Sequence, residues 1–124
     1  MGLKESEDQA QAAIFSWARW QQSKYPALKS MYHAANEGKR SRAAGANLKR
    51  QGMKPGVSDI CLPYAAGDYN NLYIELKVGN NKASDAQLAF IDTINEIGGK
   101  ALVVYEADNA IEVITAYLEG KIDS

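Results

Sequence analysis

A mixed β-sheet flanked by helices, an α/β class, is the fold this sequence predicts, in the order α-β-α-β-β-α-β-α. Two observations carry it. Apolar residues recur at helical spacing in four stretches, and four short stretches between them alternate or run together as strands do. The borders are marked by two Ser-x-x-Gln pairs and by clusters of Gly, Asn and Pro. At 124 residues the chain has the size of one domain, expected over 1–124.

The first helix is expected over 6–22. Ser6 and Gln9 form a capping-box pair, and Ala10, Ala13, Ile14, Trp17 and Trp20 fall near one face as core or subunit contacts. Pro26 ends that region. A short strand follows over 28–35, broken by Asn36-Glu37-Gly38. The spacing predicts a helix over 41–51, ended by Gly52. Strands over 58–63 and 72–78 form a hairpin around the polar loop 65–71. In the second of them Ile74, Leu76 and Val78 share one face, and Tyr73, Glu75 and Lys77 share the other.

Ser84 and Gln87 are the second capping-box pair, opening a helix with Leu88, Ile91 and Ile94 inward and Gly98-Gly99 at its end. Residues 101–105 are nearly all apolar, as in a strand buried on both faces. Asp108 is the expected N-cap of a last helix, with Ile111, Ile114 and Leu118 inward.

Composition excludes several functions. One cysteine, Cys61, rules out an internal disulfide, and one histidine, His33, rules out His-rich and zinc-finger centres. A metal, if used, would be a hard cation on carboxylates. No stretch is long and apolar enough for a membrane span, and the polar N-terminus lacks a secretory signal, so the expected location is the cytoplasm. Net charge is −1, yet Lys39, Arg40, Arg42, Lys49, Arg50 and Lys54 crowd a segment without acids. Such a run is either a solvated helix face or a phosphate-contacting element.

The chemistry centres on Asp59, Glu75 and Lys77. Glu75 and Lys77 lie two apart on one strand and share a face, away from the apolar one. Asp59 lies within hairpin reach. The spacing therefore places both carboxylates and the ammonium towards a cleft or solvent, outside the core. A cross-strand salt bridge would account for the same pattern. Two carboxylates that hold a divalent cation, with an ammonium to orient water or offset charge, also suit phosphodiester hydrolysis.

Gly56-Val57-Ser58-Asp59-Ile60, then Ile74-Glu75-Leu76-Lys77, then Ser84-Asp85-Ala86-Gln87 resemble the VRR-NUC branch of the PD-(D/E)xK nucleases. Asn36-Glu37-Gly38 and the run Gly98-Gly99-Lys100-Ala101-Leu102-Val103-Val104 resemble it too, and the likeness spans about residues 32–114. Ser58, not proline, precedes Asp59, and Pro55 stands earlier; this is the Gly-x-x-Asp form of that branch. The resemblance implies a restriction-endonuclease-like fold and a stand-alone, phage-like DNA endonuclease. It implies Mg²⁺ or Mn²⁺ on Asp59 and Glu75, with the Leu76 carbonyl and Glu37 completing the shell. Lys77 would handle the water, and Gln87 would contact Lys77, the water or the phosphate.

It also turns the basic segment into a DNA-backbone contact. Minimal members of the family resemble homodimers that cut four-way junctions, and the apolar face of the first helix is the expected contact. Tyr64, Tyr69 and Tyr73 are candidates for the DNA cleft or that contact. His33 is read as structural or near Glu37, and Cys61 as core. The competing readings are a flap- or duplex-cutting nuclease, a catalytically silent DNA-binding module and a structural subunit.

Overall fold

The computed structural model describes residues 6–34 and 42–122, with side chains from residue 45 onward in the second segment. Among the described residues, four strands form one sheet in the order β1 (Tyr32–His33), β2 (Ile60–Leu62), β3 (Leu72–Lys77) and β4 (Lys100–Tyr105). β1–β2 and β2–β3 are antiparallel, and β3–β4 is parallel. The parallel step is a crossover through α3 (Asp85–Glu96). The mixed sheet flanked by helices is thus the predicted class.

α1 (Glu7–Gln21) and α4 (Ala107–Leu118) cover one face of the sheet. Ala10, Ile14 and Ala18 of α1 meet Leu72, Ile74 and Leu76 of β3 and Ala110, Ile114 and Tyr117 of α4. Tyr117 is fully buried, and its hydroxyl donates to the Tyr64 carbonyl at 2.6 Å. That bond ties α4 to the loop after β2. α3 covers the other face, where Ile91 and Ile94 pack with Ala101, and Tyr73 meets Phe90 edge to face. Both capping boxes form as expected, at Ser6/Gln9 and Ser84/Gln87. α2 (Arg42–Arg50) ends at Gly52, which has φ 101°. No helix among the described residues is long and apolar enough to cross a membrane.

Several local expectations are corrected. The strand expected over 28–35 is only Tyr32–His33, because Pro26–Ser30 turns as a 3₁₀ helix, with Ser30 Oγ bonded to the Ala27 carbonyl. Ala13 is exposed, whereas Ala18 is buried; Trp20, 83% exposed, stands outside the core, the first of the two places expected for it. Leu88 is exposed; Phe90 packs on the sheet instead. β4 buries Ala101 on one face and Val104 on the other, while Lys100, Leu102 and Val103 are half-buried and Tyr105 is exposed; among the described residues it is the edge strand of the sheet. The N-cap of α4 is Glu106, and Asp108 falls inside the first turn.

Candidate active site

The hairpin register builds the site. Ile60 pairs with Ile74, so Asp59 stands at the next position, opposite Glu75. Asp59 is held from several sides. Its Oδ2 accepts the Leu76 N–H at 2.7 Å, and its carbonyl accepts the Ala34 N–H at 2.8 Å. His33 Nδ1 lies 2.9 Å from that same carbonyl, so it is the protonated ring nitrogen.

Gly56 sets the approach of this segment. Its φ is 83°, and a Cβ there would drive into the Ala86 carbonyl in the first turn of α3. Only glycine lets the chain before Asp59 lie against that turn.

Lys77 Nζ lies 3.3 Å from Glu75 Oε2. Glu75 is 1% exposed and Lys77 8%. This corrects the sequence reading, which placed both outside the core. They do line a cleft, but from its buried floor, walled by Glu7, Asp8 and Gln11 of α1 and by Gln87 of α3. Burial pushes the Glu75 carboxyl up to about 8, and the Asp59 carboxylate beside it adds to the rise while Lys77 opposes it. Glu75 Oε1 is buried with no hydrogen-bond partner.

Asp59, Glu75, Leu76, Lys77 and Gln87 all line this one cleft of about 240 Å³. Gln87 Oε1 accepts the Ser84 N–H at 2.8 Å, so the glutamine serves the cap and borders the cleft together. His33 lines it as well. So do Glu7, Asp8 and Gln11 from the first turns of α1, which the sequence reading assigned no role. Their one sequence signal was position: an acidic first turn directly after a capped N-terminus. Tyr64, Tyr69 and Tyr73 do not border this cleft.

Glu37, Lys39 and Arg40 lie outside the described residues, as does the Arg42 side chain. Lys49, Arg50 and Lys54 are exposed and away from the cleft lining, and Arg50 donates to Asn47 at 2.7 Å. Cys61 is a buried free thiol, as expected.

The donor set fits a hard divalent cation. Two carboxyl groups face each other on the buried floor, and burial and Asp59 drive Glu75 to hold a proton, a place that a divalent cation between them would take. Among the described residues no third His, Cys, Asp or Glu joins them as a closed metal cage. An open shell of this kind leaves room for water and phosphate oxygens.

No curated protein matches the chain. A solved structure described as a VRR-NUC domain protein matches with a TM-score of 0.82 and 31% identity, over 94% of this chain and 91% of that one. The family model for the VRR-NUC domain matches residues 5–108. That span takes in α1 and its acidic first turn, Asp59 just before β2, the cleft residues on β3 and α3, and the whole of β4. The chain belongs to the VRR-NUC domain family, nucleases of the PD-(D/E)xK type.

Proposed function

We propose that the chain is a divalent-metal-dependent DNA endonuclease that acts as a homodimer on branched DNA, four-way junctions in particular. The observation that carries the metal-dependent part is the Asp59/Glu75/Lys77 set at the floor of the cleft, with Glu75 Oε1 buried and unpartnered.

Asp59 and Glu75 would hold Mg²⁺ or Mn²⁺, with the Leu76 carbonyl and Glu37 as further donors. The ion, when bound, supplies Lewis acidity at the phosphodiester. The Leu76 N–H bond fixes the Asp59 carboxylate before any ion arrives. Lys77 keeps its ammonium beside Glu75, where it orients the attacking water and offsets charge that builds on the phosphate. Gln87, on the same wall, contacts Lys77, the water or a phosphate oxygen, because one cap bond leaves its amide nitrogen and a second lone pair of its oxygen to serve the cleft.

Lys49, Arg50 and Lys54, with Lys39, Arg40 and Arg42, would contact the DNA backbone, and the exposed cations suit that role. A symmetric cut in two strands needs two such sites related by a two-fold axis. Trp20, 83% exposed on α1, is the aromatic residue offered to a second copy.

A substrate panel tests this reading. Labelled four-way junction, flap and linear duplex are incubated with the protein in Mg²⁺, Mn²⁺ or Ca²⁺, and sedimentation is run at micromolar protein. Paired symmetric nicks in the junction and a dimer are expected. Equal cutting of all three substrates removes the junction preference, and a monomer removes the dimer.

A further inference from the structure

The strand end that carries Lys77 is held by a residue in an unfavourable conformation. Glu106 has φ 72° and ψ 152°, a region populated essentially by glycine. It is the one non-glycine residue with positive φ among the described residues. It also occupies the N-cap of α4, where Ser, Thr, Asp or Asn would cap the helix, and its side chain makes no capping bond. Two local costs fall on one residue.

What Glu106 does instead concerns β3. Its N–H donates to the Lys77 carbonyl at 2.9 Å. Its Oε1 accepts the Gly79 N–H at 3.0 Å. The two bonds bracket Val78 and close the turn directly after Lys77. The next residue outward reinforces them. Tyr105 donates its hydroxyl to the Asn81 carbonyl at 2.6 Å, and Asn81 donates its amide to Glu7 at 3.2 Å. The turn is therefore tied to the β4–α4 junction on one side and to α1 on the other.

Lys77 is the last residue of β3, and its long stem places the ammonium only as well as its own backbone is placed. A glycine at 106 would relax the backbone and lose the carboxylate. An aspartate would suit the cap, but its shorter side chain would not span to Gly79.

We propose that Glu106 is a positioning residue for the nuclease reaction, clipping the Lys77–Gly79 strand end so that the ammonium meets Glu75 at the cleft floor. This rests on the nuclease reading above.

The test compares wild type, Glu106→Gly and Glu106→Gln on a labelled four-way junction in Mg²⁺, under single-turnover conditions with protein saturating. Amide hydrogen exchange at Gly79 is followed in the same three proteins. Glu106→Gly is expected to lower the cleavage rate about tenfold or more, by analogy with small misplacements of reacting groups. Its DNA affinity should stay within about twofold, because the clip touches no phosphate contact. Its melting temperature should change by no more than a few degrees, since the relaxed backbone offsets the lost bond. Gly79 should lose exchange protection.

Glu106→Gln keeps an acceptor at the same reach, so it should restore both the rate and the protection. Wild-type cleavage by Glu106→Gly overturns the proposal and leaves the nuclease reading intact. So does a Glu106→Gln variant that protects Gly79 yet cuts as slowly as Glu106→Gly. A wild type that cuts no DNA in Mg²⁺ or Mn²⁺ overturns both.

Discussion

Replacing Glu75 with glutamine should stabilise the metal-free protein at neutral pH and flatten its pH dependence. Burial, reinforced by Asp59, raises the Glu75 carboxyl from 4.5 to about 8 in the folded chain. Between those values the folded chain holds a proton that the unfolded chain has released. The stability this contributes is fully present below 4.5 and is lost as pH rises through 8. One proton of difference gives a slope of about 1.4 kcal/mol per pH unit in that window. From pH 6 to pH 7.5 the loss is about 2 kcal/mol. For a domain of this size that is about 6–10 °C in melting temperature.

Glutamine fills the same volume and does not ionise, so its curve lacks this loss. The assay is a set of thermal melts in EDTA between pH 5.5 and 8, taken as the difference between wild type and Glu75→Gln. The subtraction cancels the titrating groups that do not face Glu75, leaving the coupled set of Glu75, Asp59 and Lys77. Added Mg²⁺ or Mn²⁺ should oppose the wild-type loss, because an ion that binds the ionised pair stabilises the fold by mass action. Equal pH slopes in the two proteins would refute the reasoning, since Glu75 would then not be a desolvated, proton-holding group.

The remaining expectations follow from single contacts. Gly56→Ala should cost about 2 kcal/mol or more, because its φ of 83° and the Ala86 carbonyl both oppose a side chain; a melt unchanged from wild type would contradict this. Tyr117→Phe should cost about 1–2 kcal/mol by leaving the Tyr64 carbonyl without its buried donor, read by urea denaturation with an unchanged slope. Lys77→Ala should lower the cleavage rate about a hundredfold or more while leaving DNA binding in place, measured by single-turnover kinetics beside a gel-shift titration.

Much of this fold was legible because its signals are local. The two capping boxes need only Ser6/Gln9 and Ser84/Gln87, and both helices begin where those pairs put them. Alternation in 72–78 located β3 and set Glu75 and Lys77 on one face. The convergence of Asp59 with them followed from a short hairpin. What stayed hidden depends on tertiary placement. Alternation says that the face opposite Glu75 is apolar, but not that residues of α1 and α3 wall in the face of Glu75 itself. Periodicity in α1 shows which side of the helix is buried, but not that its N-terminal turn ends at the cleft. Glu7, Asp8 and Gln11 were missed for that reason. Asp108 was the better cap by chemistry, yet α4 starts two residues earlier at Glu106, whose carboxylate bonds Gly79 after β3 and not the helix.

The most direct test of the central claim is junction cleavage by wild type and Glu75→Gln, each in Mg²⁺ and in EDTA, with circular dichroism confirming that both are folded. The account predicts cutting by the wild type in Mg²⁺ only, and none by the folded Glu75→Gln in either condition. Cutting by Glu75→Gln at the wild-type rate, or by the wild type in EDTA, would contradict it.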